Sequence, residues 1–279
     1  MLIAPRGSES YPASLEDLSI PPDPLFMIGD ASVLREPMIS IVGTREPTPY
    51  GIRTARAISA AFAKAGVCVV SGMARGIDAV AHRACIENGA PTIAVLGTGI
   101  DVPYPVGHQE LHRIISEKGL VVSENGPGRK AHQGAFPRRN RIIAALSPVT
   151  IVVEAGHKSG ALNTASQALE LGRTVAAVPG PIDSSQSEGT NQLLRDGATV
   201  VATIDDALAL IGVSPHASAP YQLSEVDGMV WSALGAGPLS IDMLSSRTRL
   251  ASRDCLTSVT SLEIQGMVES LVTGEVRRR

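Results

Sequence analysis

MISIVGTREPTPYGIRTARAISAAFAKAGVCVVSG (38–72) sets the architecture of the chain. Its outer segments, ISIVG (39–43) and VCVVSG (67–72), are apolar nearly throughout instead of alternating, which is how strands buried on both faces read. Between them, Tyr50–Ala65 has helical length and the alanine, isoleucine and leucine content of a packed helix. The rhythm continues through TIAVLG (92–97), GLVVSE (119–124), TIVVE (150–154), TVAAVPG (174–180) and ATVVA (198–202), with helical stretches such as Ile77–Asn88 and Leu162–Leu171 between runs. Strand alternating with helix predicts a mostly parallel, doubly wound, Rossmann-like α/β domain over residues 38–212.

The flanking regions differ. Residues 1–37 are Pro-rich and predict a mostly irregular N-terminal extension docked on the core. Residues 213–223 read as a linker, and 224–279 have the pattern of a small winged-helix domain. There Val226, Val230 and Leu234 start one helix face. Ser240 opens a second helix ending near Thr248, and Ser252 caps a third with Leu256, Val259 and Leu262 inward. GMVESLVTGEVRRR forms the wing, its terminal arginines on a mobile chain end.

Composition excludes several classes. No apolar run approaches the ~18–20 residues of a membrane span. MLIAPRGSESYP lacks a basic segment followed by an apolar one, so a secretory leader is not expected. Cys68, Cys85 and Cys255 form neither a disulfide framework nor a zinc pattern, which points to a reducing cytoplasm. The formal charge of −3 gives no global basic field, so any nucleic-acid binding must use a local patch.

Ligands of an open α/β sheet bind beyond the carboxyl ends of the strands. The first such turn, GTREPTPYG (43–51), offers Gly43, Thr44 and Arg45 and is neither a GxGxxG nor a Walker A loop. In SGMARGIDAVAH (71–82), Arg75 lies between two glycines, Asp78 is placed to cap the next helix, and His82 follows one turn later. This pair reads as capping and packing, since no nucleophile accompanies it. Residues 125–153 contain no acid, yet hold Arg129, Lys130, Arg138, Arg139 and Arg141. FPRRNRIIAALS (136–147) starts with Phe136, the one aromatic in the patch, and puts three arginines and Asn140 in a first helical turn. The macrodipole disfavours cations there, so an anion is expected opposite them. Arg141 and Asn140 are also suited to internal ties. EAGHKSGALNTA (154–165) brings Lys158, Ser159 and Gly160 to another strand-to-helix junction. His157 is weak as a ligand, and Trp231 and the methionines read as core.

Taken in order, these blocks resemble the DprA/Smf family of bacterial DNA-processing proteins. IVGTR (41–45), PYG (49–51), VSGMARGIDAVAH (70–82), TIAVLGTGID (92–101), YP (104–105), SEN-PG (123–128), FPRRNRIIAALS (136–147), VVEAGHKSGALNTA (152–165), VPGPI (178–182) and EGTNQLLRDGA (188–198) carry it, from about Tyr11 to Ile211. The resemblance implies a non-catalytic, homodimeric single-stranded DNA-binding protein that helps load the RecA recombinase in natural transformation or recombination. It implies a DNA pocket at Gly43, Thr44, Arg45, Phe136, Arg138 or Arg139, Asn140 and Arg141. A family lysine is replaced by Gln133, leaving Lys130 or Lys158 to supply that charge, and no helix-hairpin-helix or SAM-like domain precedes Tyr11. The expected DNA-binding set is thus Gly43, Thr44, Arg45, Arg75, Phe136, Arg138, Arg139, Asn140, Arg141, Lys158, Ser159 and Gly160, with no catalytic residue, metal or cofactor.

Two other readings stand against this one. A nucleotide-processing phosphoribohydrolase of the LOG group shares a related architecture but needs a glutamate beside its phosphate site, for which Glu154 is the candidate. A duplex-reading transcription factor is weaker, because residues 224–279 carry six arginines against seven acids. TNQLLRDGATVVATIDDALALI (190–211) ends the sheet and is the segment expected to pair two copies through the Rossmann-like domain.

Overall fold

The computed structural model describes residues 1–132, 134–212, 223–264, 267–271 and 274–278. The chain divides into two compact units, Met1–Pro215 and His216–Arg279; most of the expected linker (213–222) lies outside the described residues.

The first unit is built on a nine-stranded sheet: β1 (Leu2–Ala4), β2 (Leu25–Gly29), β3 (Met38–Val42), β4 (Cys68–Ser71), β5 (Thr92–Leu96), β6 (Leu120–Ser123), β7 (Val149–Val152), β8 (Thr174–Ala177) and β9 (Thr199–Val200). Their spatial order is β1-β2-β6-β5-β4-β3-β7-β8-β9. All seven apolar runs are strands, and from β6 to β9 every pairing is parallel. The helices are α1 (Pro49–Lys64), α2 (Ile77–Glu87), α3 (Gln109–Lys118), α4 (Ala135–Leu146), α5 (Gly160–Glu170), α6 (Glu188–Arg195) and α7 (Ile204–Ala209). Both faces of the central strands are covered. Ile39, Ile41 and Val69 pack with Ile58 and Phe62 of α1 on one side. Val42, Val70 and Val95 pack with Ile142 and Ile143 of α4 on the other. Two-sided burial is the reason these strands read as unbroken apolar runs.

Strand order fixes the functional geography. From β3 the chain winds through β4 and β5 to β6, then returns to lay β7 on the opposite side of β3. The carboxyl ends of β3 and β7 therefore diverge into a crevice, the topological switch point.

The N-terminal extension needs correction. It is hydrogen-bonded into the sheet rather than merely docked: β2 pairs antiparallel with β6, and β1 pairs antiparallel with β2. Prolines at 5, 12, 21, 22 and 24 suggest irregular chain, but they flank the two strands rather than interrupt them. Leu25 and Met27 point into the core, with Leu15 and Leu18 from the intervening segment. Gly29, at φ +117°, has no room for a side chain, since a Cβ would lie 2.2 Å from the carbonyl oxygen of Gly119.

The second unit contains α8 (Glu225–Ala233), α9 (Ile241–Thr248), α10 (Ser252–Ile264) and the strands β10 (Leu239–Ser240), β11 (Val268–Ser270) and β12 (Glu275–Arg278), ordered β10-β12-β11. This is the winged-helix arrangement, around Val230, Leu244, Val259, Leu262 and Val276. Ser240 caps α9 as expected. Two expectations change. Leu256 is 55% exposed, and its neighbour Cys255 takes the inward position. Arg277 and Arg278 are not a free end: Arg277 pairs with Glu269, and Arg278 lies 4.2 Å from the Trp231 ring centroid while donating to the Trp231 carbonyl.

Gly29→Ala should destabilise the protein by about 2 kcal/mol or more, adding a steric collision to the cost of a positive φ. Gly7, also at positive φ but with nothing within 4 Å of a Cβ, should cost only about 1 kcal/mol on the same substitution. Urea midpoints of the two variants check the ordering.

Candidate functional site

The switch-point crevice opens into a cavity of about 680 Å³ lined from the ends of β3 and β7 and from α4, α5 and the segment before α6. Its floor is drawn together by backbone. Thr44 donates its N–H to the Glu154 carbonyl (2.7 Å), and Ile77 donates to the Thr44 carbonyl (3.2 Å). Gly43 permits this approach, since a Cβ would lie 2.5 Å from the Ile77 side chain. Thr44 is buried and donates its hydroxyl to Gln186 Oε1 (3.4 Å). Arg45 is exposed and lies 5.5 Å from the Phe136 ring centroid, a cation–π contact.

The basic helix starts earlier than the sequence suggests. α4 begins at Ala135, after Gly134 at φ +84°, so Arg138, Arg139, Asn140 and Arg141 fall in its fourth to seventh positions. The conflict with the macrodipole is correspondingly weaker, because that field fades within the first turn.

The three arginines also have different fates. Arg139 is 3% exposed and donates to the carbonyls of Gly72 and Val95. Burial pulls its guanidinium down to about 10, while the buried Asp78 carboxylate opposes that shift. Asp78 does not cap its own helix. It accepts from the backbone N–H groups of Gly72 (3.2 Å) and Ala74 (3.3 Å), and burial pushes its carboxyl up against the pull of Arg139. Arg141 donates to the Ile20 carbonyl and to Glu124, each at 2.7 Å. Arg138 is largely exposed and also pairs with Glu124 (3.0 Å). The acid-free stretch is thus balanced by the residue just outside it.

Asn140 donates to the Gly160 carbonyl (3.3 Å) and to Asn163 Oδ1 (3.1 Å), tying α4 to the start of α5. Ser159 caps α5 by accepting from the Ala161 N–H, and Lys158 is exposed on the cavity wall. Of the expected residues, Arg45, Phe136, Lys158, Ser159 and Gly160 line the cavity with Gly43 and Thr44 behind them. Arg139 and Asn140 also line it but act as internal ties. Arg75 lines an adjoining smaller cavity, and Arg138 and Arg141 line neither. Gln133 lies outside the described residues.

Other suspected groups have structural duties. His82 is fully buried, its Nδ1 is 2.8 Å from the Thr92 hydroxyl, and that hydroxyl donates to the Val69 carbonyl. His82 therefore donates through Nδ1, while Nε2 has no partner. Burial, with Arg139 and His108 nearby, pulls His82 down to about 3. Both carboxylate oxygens of Glu154 accept from Thr48, one from its N–H (2.8 Å) and one from its hydroxyl (2.6 Å). Among the described residues, no His/Cys/Asp/Glu group could hold a metal ion.

Sequence reasoning missed Tyr104. Its ring centroid is 4.9 Å from that of Phe136, although the two are far apart in the chain. The YP pair was visible in the sequence, but nothing local connects it to the basic helix.

The family model for DNA recombination-mediator protein A matches residues 3–212, and that for the DprA winged helix domain matches 214–272. The chain is 41% identical over 239 residues to a protein of Mycobacterium tuberculosis named as a DNA processing protein DprA, covering 82% of this chain and 61% of the relative. It thus spans less than two thirds of that relative's length. The X-ray structure of DNA processing protein A from Streptococcus pneumoniae superposes with a TM-score of 0.72 at 38% identity, covering 75% of this chain and 73% of the other. The Helicobacter pylori DNA processing protein A, solved for its single-stranded DNA binding mode, gives 0.67 at 32% identity, covering 72% and 93%.

Arg139→Ala is expected to destabilise the protein by about 3 kcal/mol or more, because it leaves the Asp78 carboxyl buried without its counter-charge. Combining it with Asp78→Asn should recover part of the loss, a coupling that a double-mutant cycle in urea measures. His82 gives a pH test. The unfolded state binds this proton near pH 6.5 and the folded state only near 3, so stability is full above 6.5 and falls as the pH drops below it. Between pH 7 and 5 this histidine should cost about 2 kcal/mol. His82→Gln should remove that part of the slope in urea titrations at the two pH values.

Proposed function

The chain belongs to the DprA/Smf family of DNA recombination-mediator proteins, and from that membership we propose that it binds single-stranded DNA at the switch-point cavity without chemically changing it. Its role is to shield incoming or recombining single strands and pass them to the RecA recombinase, in natural transformation or DNA recombination, in the cytoplasm. The observation that carries this reading is the cavity wall itself: an exposed arginine over an aromatic ring, with Lys158 lining the same cavity. Such a wall suits a flexible polyanion with accessible bases.

The division of labour among the basic residues supports the same reading. Arg139, Asn140 and Arg141 hold β4, β5, α5 and the N-terminal segment in place through carbonyls, an amide and Glu124. Arg45, Arg75 and Lys158 are left to face a ligand. A hydrolase of the LOG type needs a carboxylate directed at its substrate, whereas Glu154 spends both oxygens on Thr48. Self-association is assigned to the β9 end of the sheet, where both strand residues are exposed. Among the described residues no helix is long and apolar enough to cross a membrane.

Arg45→Ala should keep the fold and weaken binding of a labelled single-stranded oligonucleotide. It should also flatten the slope of log affinity against log salt by about 0.7, the signature of one lost phosphate contact on a single strand. Fluorescence anisotropy at several salt concentrations, with duplex as a control, decides it. Unchanged affinity and slope in a folded variant would remove this cavity from the DNA site.

A further inference from the structure

The turn from β4 into α2 carries an exposed cation on a strained backbone. Met73 lies at φ +55°, a left-handed conformation that residues other than glycine rarely adopt. Its side chain is fully buried, packed with Leu96, Ile100 and Ile115. The peptide unit joining Met73 to Ala74 is pinned at both ends. Its N–H, on Ala74, donates to Asp78 (3.3 Å), and its carbonyl, on Met73, accepts from Nδ1 of His108 (2.9 Å). A carbonyl oxygen can only accept, so Nδ1 of His108 is the protonated nitrogen. Asp78 belongs to the helix that follows the turn. His108 instead reaches in from the helical turn Val106–His108, 35 residues further along the chain. It is 8% exposed and is not among the residues lining either the larger cavity or the smaller one. Arg75, two residues after Met73, is exposed and lines the smaller cavity with Tyr104, Pro105 and Val106, the residues that lead into the turn of His108.

We infer that His108 is a positioning residue for single-stranded DNA binding: by holding the Met73 carbonyl it keeps the turn in its left-handed form and so directs Arg75 at the strand. This deepens the single-stranded DNA reading above and rests on it. A planar peptide held at both its N–H and its carbonyl cannot rotate, so the backbone enters Ala74 and Arg75 from a fixed start. It leaves them at an equally fixed point. Gly76, at φ +78°, abuts the Thr44 carbonyl, and Ile77 donates its N–H to that same oxygen (3.2 Å). Arg75 is the exposed side chain between these two anchors. With the Met73 carbonyl released, the residue relaxes toward the broad allowed regions and the peptide turns over, because the hydrogen bond that offsets the strain is gone. Arg75 must then be ordered by the strand itself at each binding event, and affinity falls by the cost of that ordering. The same hydrogen bond ties the 104–106 wall of the smaller cavity to the wall that carries Arg75.

The test measures binding of a labelled single-stranded oligothymidylate to the full chain by fluorescence anisotropy at several salt concentrations. It compares wild type, His108→Leu, His108→Asn, Arg75→Ala and the double variant of His108→Leu with Arg75→Ala. Arg75→Ala should weaken binding and flatten the slope of log affinity against log salt by about 0.7, one lost phosphate contact. His108→Leu should weaken binding by between about threefold and tenfold, the cost of ordering one long side chain. Its salt slope should match the wild type, because the arginine still reaches the phosphate. His108→Asn places an amide N–H where Nδ1 stood and should restore wild-type affinity. In the Arg75→Ala background His108→Leu should have no further effect, a dependence that a merely structural histidine would not show. His108→Gln carries its amide beyond the position of Nδ1, is expected to bind as His108→Leu does, and stands in if that variant fails to fold. Wild-type affinity in folded His108→Leu, or in the stand-in, overturns the proposal. So does an equal loss with and without Arg75, or an asparagine variant as weak as the leucine one. Wild-type affinity and slope in Arg75→Ala also overturn it, while leaving DNA binding through Arg45 in place. A wild-type protein that binds no strand overturns the underlying DNA reading, and the role of His108 with it.

Discussion

A guanidinium buried at the carboxyl end of a parallel sheet must find its partners within the protein, and Arg139 does so at the point where four segments meet. Its donors go to the carbonyl of Gly72, just beyond β4, and of Val95, within β5. Its counter-charge is Asp78 of α2, and its backbone belongs to α4. Desolvating such a charge is expensive, so each partner becomes a constraint on the rest. Gly72 can carry no side chain, because a Cβ would lie 2.2 Å from Arg139 Nη1. Asp78 cannot serve as an ordinary helix cap, because its carboxylate is turned back onto the β4–α2 turn. That turn in turn carries Arg75 and abuts the loop holding Arg45, since a Cβ at Gly76 would lie 2.3 Å from the Thr44 carbonyl oxygen. The exposed cations of the site are thus aimed by a buried one.

The sequence carried much of this, unevenly. Each of the seven apolar runs became a strand, because burial on both faces leaves a continuous apolar signature that no surface constraint interrupts. The extension was harder. Prolines 21, 22 and 24 mask LFMIG (25–29), and β2 is recruited by pairing with β6, a contact nearly a hundred residues away that leaves no local mark. In the site, residue types and turns were legible, and so was the grouping of Arg45, Phe136 and Lys158. The allocation of the arginines was not. RRNR reads as four equal polar positions, but helical geometry sends Arg139 inward and Arg138 outward, and only the carbonyls of other strands determine that Arg139 is tied rather than free. Asp78 and His82 have the spacing of a pair on one helix face, yet each finds its partner elsewhere, in the Gly72–Ala74 turn and in Thr92.

Net charge is a poor guide to how such a protein meets a polyanion. At about 0.15 M salt the screening length is ~8 Å, so a formal charge of −3 spread over the whole surface matters less than what stands within one or two side chains of the ligand. Locally, Glu124 offsets Arg138 and Arg141 together. The exposed cations beside the cavities are therefore Arg45, Arg75 and Lys158 rather than the basic helix as a whole. In the winged-helix unit, Arg277 is paired with Glu269, Arg278 is held against Trp231, and Arg247 donates to the Ala233 carbonyl. Cations already bound in this way gain little by exchanging a protein partner for a phosphate, since the first bond must be broken to make the second. Three of the winged-helix arginines are thus engaged within their own unit, while Arg249 and Arg253 are exposed and Met243 and Leu256 add exposed apolar surface.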